Sequence, residues 1–495
     1  MMNKKKEGFH SLDIKIIIHK KLSLLVVVSL FLISSCAHKN DITIREKSIH
    51  EFQRKIDEQT PEIIKTNKEI SLEECIQLAL KNNTHVKTSE INKKIARLEK
   101  NMAFANFFPQ INAEFQVVTY DRQPMVDIGP LSTAMQDKTI RIADIQLQMP
   151  IFAPATWFIY DLSKRGVDIS NLVYNYTCQM ISLQTTALYF QVLALENIKK
   201  SLEMQYEASK KLVEQMELFY EEGLITQSQK EQSILLKQLK ERDLKQCEYE
   251  INKAKAQLNS VLGIHPLQEI KLSKNIEIPS TTDSLEDLIL QALKNHPQIQ
   301  IEDRKVEISE DEIKLAITQF LPLVGGFSKW EYTSNSYTMY SQSVLYGIHS
   351  VLTLFNGFAN IQQYRIAREK REKAFLEREE TALSLIVGVI RAKNDLEKAK
   401  EDSKLAHQAF IYQKEKFREE NEKWNEGMIT EVDLINLQAE LGNAEINQIV
   451  AQIQEQIARA VLWNSIGKTY MGNSIYCFEA VNTSNEKEQK NNGKE

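Results

Sequence analysis

One long pattern occurs twice in this chain, and a duplication on that scale restricts the fold to two similar halves. Ser71-Leu72-Glu73-Glu74-Cys75-Ile76-Gln77-Leu78-Ala79-Leu80-Lys81-Asn82 returns as Ser284-Leu285-Glu286-Asp287-Leu288-Ile289-Leu290-Gln291-Ala292-Leu293-Lys294-Asn295, 213 positions later. The same spacing relates Ile95 to Ile308, Glu99 to Glu312, Ala103 to Ala316, Phe107 to Phe320 and Pro109 to Pro322. It falls to 203 between Phe152 and Phe355, and is 204 from Gly223 to Gly427 and from Gly263 to Gly467. The drop from 213 to 203 assigns ten extra residues to a loop of the first copy.

Each copy opens as a helix. Ser71-x-x-Glu74 and Ser284-x-x-Asp287 are capping-box starts, a hydroxyl for the first free amides and an acid three residues on. The helical pattern is expected to run to Phe107 and Phe320, where Pro109 and Pro322 stop it. Period-two alternation comes next. Ile111, Ala113, Phe115 and Val117 oppose Asn112, Glu114 and Gln116, and after a loop from Asp121 to Lys138, Ala143, Ile145, Leu147 and Met149 oppose Asp144, Gln146 and Gln148. In the second copy Val324 to Tyr332, with Gly325, Gly326 and Lys329, is the weaker strand pattern. Val344, Tyr346, Ile348 and Leu352 alternate with Gly347, His349 and Thr353 in the other.

These runs of about 10 residues suit tilted strands between lipid and water. A soluble, half-buried hairpin has the same alternation. Four strands are expected in all, and four cannot close a barrel. Open sheet edges cannot sit in lipid, so a membrane-spanning reading requires several chains to share one barrel.

After each hairpin comes a stretch of about 70 residues without an internal proline beyond the first turn, on the order of 100 Å as a helix. No globular core is that deep. Glu222-Gly223-Leu224-Ile225-Thr226 and Glu426-Gly427-Met428-Ile429-Thr430 then end these helices, glycine being the residue best suited to a left-handed C-cap. Thr226-x-x-Gln229 and Thr430-x-x-Asp433 restart them with new capping boxes. The return helices carry narrow stripes, Cys247, Ile251, Ala254, Leu258 and Val261 in one, Leu434, Leu437, Leu441 and Ala444 in the other, which suit coiled-coil packing.

The expected fold class is therefore mainly α with a small β part, built from two internal repeats, 71–275 and 284–470. Hairpins fall at 110–150 and 323–354, and long antiparallel helical hairpins at 152–263 and 355–467. Only 15 Gly and 10 Pro in 495 residues agree with few, very long elements. A net charge of −5 without a basic, aromatic-rich cluster speaks against nucleic acid. Cys75, Cys178, Cys247 and Cys477 make no CxxC pair and no zinc spacing. No nucleophile elbow, phosphate loop or metal-ligand pair marks an enzyme, and no cofactor is expected.

Residues 1–35 read as a signal peptide: Lys4, Lys5, Lys6, Lys15, Lys20 and Lys21 precede an apolar run from Leu22 to Ile33, shorter than the roughly 20 residues a spanning helix needs. Leu32-Ile33-Ser34-Ser35-Cys36 resembles a bacterial lipobox, whose cysteine is acylated and becomes the mature N-terminus. The alternative is an uncleaved signal anchor. Residue 37 is Ala, so nothing here resembles an inner-membrane retention signal. Residues 36–70 read as a polar, extended tether and 471–495 as a polar, disordered tail.

In its order of pieces the chain resembles the outer-membrane efflux protein family, the TolC-like channels, over residues 71–470. The carrying pieces are the duplicated Ser-Leu-Glu motif, Phe107-Phe108-Pro109 and Phe320-Leu321-Pro322 before the strands, Leu354-Phe355-Asn356-Gly357 after them, the Gly-x-x-Thr tip turns and the lipobox. Phe152-Ala153-Pro154 departs from the family, which has a glycine there, so that junction is expected to differ in shape. The resemblance implies a homotrimer with a shared 12-stranded barrel in the outer membrane and a helical tunnel through the periplasm. It implies a passive duct served by an inner-membrane pump and a periplasmic adaptor. The adaptor would meet the tip turns Gly223, Leu224, Ile225, Thr226 and Gly427, Met428, Ile429, Thr430. Of the acidic positions that ring the family's closed entrance, Asp433 keeps the acid and Asn436 does not, and Gln229 holds the matching place in the first copy. Trp424 holds the aromatic position before the second turn and Ile429 the basic one after it. The family's charge-pair latch therefore lacks its basic partner. Asp433 also has a plain role as the third residue of a capping box. The competing reading is a lipid-anchored periplasmic coiled-coil scaffold or adaptor without a pore.

Overall fold

The computed structural model describes residues 41–59, 69–128, 131–274 and 277–469. The expected signal peptide, Cys36 and the expected polar C-terminal tail lie outside them. Contacts divide the chain near Pro61. The N-terminal unit contributes helix α1 (Asp41–Gln59), in place of the expected extended tether. Its Lys, Arg, Glu and Gln are good helix formers, and Arg54 pairs with Glu58 at i,i+4 (3.6 Å).

In the second unit, strand β1 (Glu69–Ile70) leads into α2 (Leu72–Asn82) and α3 (Thr84–Ala105). The predicted capping box is present: the Glu74 N–H donates to the Ser71 hydroxyl (3.2 Å), and the Ser71 N–H to the Glu74 carboxylate (2.8 Å). The second copy matches it with α6 (Leu285–Asn295) and α7 (Pro297–Thr318). The helical pattern expected to run from Ser71 to Phe107 and from Ser284 to Phe320 is broken once in each copy. Asn83 and His296 take extended backbone and cap the second helix of each pair, accepting from the N–H two residues on at 2.8 and 3.2 Å. Pro297 adds a ring that fits only the first helical turn.

The break has a partner. The return helices α5 (Gln227–Leu262) and α9 (Glu431–Ser465) are succeeded by Gly263 and Gly467, at φ +68° and +74°. A Cβ at Gly263 would lie 2.7 Å from the Asn82 Cβ, and one at Gly467 2.7 Å from the His296 Cα. Side chains close both seams: the Asn83 amide donates to the Val261 carbonyl (2.9 Å), and the Gln179 amide to that of Gly467 (2.8 Å).

The two long helices are α4 (Pro154–Glu221) and α8 (Ala359–Asn425), 68 and 67 residues. Helix α4 packs on α3, α5, α7 and α9, and α8 on α6, α7 and α9. The main core lies where α2 crosses α4 and α5, joining Leu72, Cys75 and Ile76 to Tyr189, Phe190, Leu258 and Leu262. A second core joins Leu288 and Ala292 to Val389, Leu396, Leu462 and Ile466. The predicted stripes are inside: Cys247, Ile251, Ala254, Leu258 and Val261 on α5, and Leu434, Leu437 and Ala444 on α9, with Leu441 half-buried.

Strands β2 (Gln110–Thr119), β5 (Thr139–Phe152), β7 (Leu323–Thr333) and β8 (Gln342–Val351) form one antiparallel sheet in the order β2-β5-β7-β8. The expectation of four strands needs correction. The loop of the first hairpin holds a small ladder, β3 (Met125–Ile128) with β4 (Leu131–Ala134). Strand β1 also pairs in parallel with β6 (Lys271–Leu272). These are two- and four-residue pairings, too short to leave a period in sequence. The Tyr189 hydroxyl braces the β1–β6 ladder, 3.2 Å from the Ile70 carbonyl and 2.6 Å from that of Ser273.

The junctions from strand to long helix differ between copies, as the missing glycine implied. In the first, β5 runs to Phe152 and Ala153 leads into Pro154 at the helix start. In the second, Gly357 and Phe358 are both left-handed, at φ +67°.

Two outcomes test these seams. Gly223 is also left-handed, at φ +73°, but with nothing near its Cβ position. Gly223→Ala should therefore cost about 1–2 kcal/mol, the left-handed penalty alone. Gly263→Ala adds a collision with Asn82 and on the order of 1–3 kcal/mol more. Apparent Tm values of the two variants in detergent compare them, and equal losses would refute the close seam. His296 is 4% exposed, and burial pushes its pKa down from 6.5 to about 4. Between those values the unfolded chain binds a proton that the folded one refuses, so stability falls as pH drops from 6.5 towards 4. His296→Asn, the residue of the first copy, keeps a cap acceptor without titrating. Its Tm should decline less than the parent's over that range.

Candidate functional site

The sheet register sorts side chains onto two faces. One face carries the rows Ile111-Leu147-Ser328-Tyr346, Ala113-Ile145-Trp330-Val344 and Phe115-Ala143-Tyr332-Gln342. Its Ile111, Phe115, Ile145, Val344, Tyr346 and Ile348 are exposed. The other face carries Asn112-Gln146-Lys329-Leu345 and Glu114-Asp144-Glu331-Ser343. Three carboxylates from three strands thus share one level. Lys329 answers them from the next, 2.8 Å from Glu331 and 3.7 Å from Asp144. Sequence reasoning puts Glu114 and Asp144 on polar faces but does not reveal this row, because only strand register lines the three acids up.

Register also explains the glycines that weaken the β7 pattern. The His349 ring occupies the space over Gly325, where a Cβ would sit 2.7 Å from its Cε1. Ile151 lies over Gly326 at 3.3 Å, and the Phe327 ring over Gly347 at 3.1 Å. Below the strands, Phe104, Phe107 and Phe108 gather with Trp157 and Tyr160, the Phe107 and Trp157 rings 4.8 Å apart.

The tip turns lie at the far ends of the long helices, and each has the predicted shape. Gly223 and Gly427 take φ +73° and +76°. The Leu224 N–H donates to the Phe219 carbonyl (2.8 Å) and that of Met428 to Lys423 (2.9 Å), satisfying carbonyls at the helix end. Leu224 and Met428 stand 66% and 68% exposed on the turns, large apolar side chains with no cover in the single chain. Ile225 and Ile429 are half-buried. Ile225 packs with Leu212, Met216 and Ile435, a cluster that ties the first tip to the start of α9.

Both restart caps form. Gln229 donates its N–H to the Thr226 hydroxyl (3.4 Å) and accepts from the Thr226 N–H (2.8 Å). Asp433 does the same at Thr430, its carboxylate accepting from the hydroxyl (2.7 Å) and the N–H (3.2 Å). Those two bonds hold the exposed Asp433 carboxyl below the usual carboxylate range. Asn436, three residues on, is exposed on the same side of α9. The first tip has a brace that sequence reasoning misses: Lys230 Nζ lies 5.0 Å from the Tyr220 ring, whose hydroxyl is 3.2 Å from the Gln227 side chain. At the matching places stand Trp424, half-exposed, and Leu434, so the second tip has no such cation.

Among the described residues no cluster of His, Cys, Asp and Glu suits a metal ion, and no helix is long and apolar enough to cross a membrane. The arrangement offers a sheet with an apolar and a polar face, carried on long helices that end in apolar turns.

Comparison with known proteins agrees. The sequence pattern of the outer membrane efflux protein family matches residues 288–468. No curated protein sequence matches the chain. Among solved structures, the outer membrane protein VceC of Vibrio cholerae superposes with a TM-score of 0.69 at 15% identity, over 81% of this chain and 96% of that one. The CmeC outer membrane channel of Campylobacter jejuni gives 0.69 at 16%, over 83% and 88%. The open state of the MtrE outer membrane channel of Neisseria gonorrhoeae gives 0.66 at 14%, over 80% and 89%. Residues 288–468, most of the second repeat, thus carry the sequence pattern of the outer membrane efflux protein family, and the chain as a whole has the mostly helical fold of these solved outer-membrane proteins.

Proposed function

We propose that three copies of this chain join edge to edge into a 12-stranded barrel in the outer membrane, continued by their long helices as a passive duct through the periplasm. The observation that carries the proposal is the sheet. Its outward apolar face is exposed, and among the described residues no strand pairs with the outer edges of β2 and β8. Backbone groups left open in hydrocarbon cost several kcal/mol each, so an apolar sheet can enter lipid only when its edges meet. The edge of β2 on one copy and that of β8 on the next are the available pair. The polar face, with Glu114, Asp144, Glu331 and Lys329, then lines the water path.

The work of such a duct is to give cargo a route past the outer membrane. An inner-membrane pump supplies the energy, and a periplasmic adaptor docks on the tip turns, where Leu224 and Met428 offer apolar contact. Acylation of Cys36 would anchor the N-terminus to the outer-membrane lipid, with the helical part extending into the periplasm. Three Asp433 carboxylates ring the far end and attract cations there. Their low proton affinity keeps them charged through the physiological range.

The test is ion conductance of the purified, detergent-solubilised protein in planar bilayers. Stepwise, cation-preferring conductance is expected, and Asp433→Lys should shift the reversal potential towards anions while the trimer persists. A water-soluble single copy without conductance would instead support the lipid-anchored scaffold. Unchanged selectivity in a conducting Asp433→Lys trimer would leave this carboxylate as a helix cap alone.

A further inference from the structure

Strand order dictates helix order in this fold. Helix α3 leads into β2, α4 leaves β5, α7 leads into β7 and α8 leaves β8, and the sheet runs β2-β5-β7-β8. Accordingly α4 packs between α3 and α7, and α7 between α4 and α8. Helix α3 stands at one end of this row and α8 at the other. Ile91, Ile95, Leu98 and Met102 form a stripe on α3 at spacings of four, three and four, and all are exposed. Their counterparts on α7, 213 positions on, are Arg304, Ile308, Asp311 and Leu315. Those are buried or half-buried, Asp311 against Arg165 of α4. If β8 of one copy pairs with β2 of the next, as in the trimeric duct proposed above, α8 of the neighbour comes to lie on the α3 stripe.

The duplication shows what this seam between copies lacks. Inside one copy, Arg165 of α4 pairs with Glu307 and with Asp311 (2.6 Å) of α7. At the spacings of 203 and 213, the same places between copies hold Arg368 on α8, and Lys94 and Leu98 on α3. The arginine is kept, and both acids it would meet are gone. Arg365 stands three residues before Arg368, and Arg97 three residues after Lys94, all four exposed. Glu90 pairs with Lys94 at 3.3 Å. Glu369 follows Arg368 in the chain, yet among the described residues neither it nor Arg97, Arg365 or Arg368 takes part in an ion pair.

Depth identifies the anion that completes the seam. Phe107 and Trp157 lie just below the sheet in the first repeat, and Phe355 and Phe358, their rings 5.2 Å apart, in the second. Aromatic side chains of this kind settle where hydrocarbon meets headgroups. Arg365 and Arg368 follow six and nine residues after Ala359 at the start of α8, roughly 9 and 14 Å along the axis. Their long stems reach back towards the membrane and carry the charges into the headgroup layer. Guanidinium groups bind phosphate through paired N–H bonds, which suits them to that layer. We propose that the phosphate of an anionic phospholipid in the periplasmic leaflet binds at each seam between copies. Arg365 and Arg368 of one copy hold it from α8, and Lys94 of the next copy from α3, with Arg97 beside it. The lipid takes the place that Glu307 and Asp311 fill within a copy, and it couples cohesion of the trimer to the membrane. The site rests on the trimeric duct, since a single copy presents only half of it.

Native mass spectrometry of the detergent-solubilised full chain tests it, with phosphatidylglycerol, phosphatidylcholine and inorganic phosphate as the added probes. Phosphatidylglycerol should be retained at one molecule per seam, while phosphatidylcholine and inorganic phosphate are shed. Arg365→Gln with Arg368→Gln should weaken retention about 25-fold, at roughly fivefold for each basic side chain, and Lys94→Gln on the facing helix about fivefold. Lys370→Gln loses only a pair with Glu312 inside the copy and should retain the lipid as the parent does. The trimer mass of each variant without lipid shows that it has assembled. Equal retention of phosphatidylcholine, undiminished retention by the α8 or α3 variant, or a matching loss in Lys370→Gln would overturn the lipid site while the duct stands. Retention of inorganic phosphate in place of lipid would overturn it too, in favour of a site for free anions. A single-copy mass under every condition, with no conductance in planar bilayers, would overturn the duct itself.

Discussion

The ladder between β5 and β7 is the contact on which the arrangement of the two repeats depends. It joins the first hairpin to the second over most of both strands, from Ile142 opposite Thr333 to Phe152 opposite Val324. Because α4 leaves the end of β5 and α7 enters β7, this pairing brings those helices side by side. Their contact is then fixed electrostatically. Arg165 donates to the nearly buried Asp311 (2.6 Å) and pairs with Glu307, while Lys314 neutralises the other Asp311 oxygen at 2.7 Å. A buried carboxylate with two cations is tolerable where a lone one is not, so the pairing holds only in this register. The same ladder brings α9 against α4 further along, where Gln205 fills the space over Gly442.

The two repeats share a plan and divide its tasks. In both, a left-handed glycine closes the return helix on the break between two short helices, and that seam makes the belt where the core is thickest. Away from it the copies diverge. Helix α3 meets α4 through aromatic rings, whereas α7 meets α8 through ion pairs, Asp303 with Arg378 (2.5 Å) and Glu312 with Lys370 (3.2 Å). The first tip is braced by Tyr220 and Lys230, and the second is not.

Periodicity, caps and breakers make much of this legible in the chain itself. Alternation over Ile111 to Val117 and Ala143 to Met149 locates two of the strands, and Gly223 and Gly427 locate the tips, because those signals are local and act within a turn or a pleat. The helix break at Asn83 is not legible. An Asn alone does not mark a break, and the contact that holds this one is the bond from the Asn83 amide to the Val261 carbonyl, 178 residues away in sequence. Pro297 is a visible breaker in the second copy, yet the matching position in the first has Thr84, which suppresses the reading. The helix Asp41–Gln59 escapes notice because its composition is strongly polar, and the ladder within Met125 to Ala134 because four-residue strands leave no period.

Sequence alone determined the duplication, the types of the long elements, the position of both tips and the alternation that gives the sheet an apolar and a polar face. These arise from each residue's own backbone preference and from side-chain period, which need no neighbour distant in the chain. Tertiary structure decided the β5–β7 register, and with it the alignment of Glu114, Asp144 and Glu331, the notch that Gly442 offers Gln205, and the burial that keeps His296 neutral. Each of these joins residues tens to hundreds of positions apart. Their energies come from desolvation and close packing, which exist only once the two repeats lie against each other.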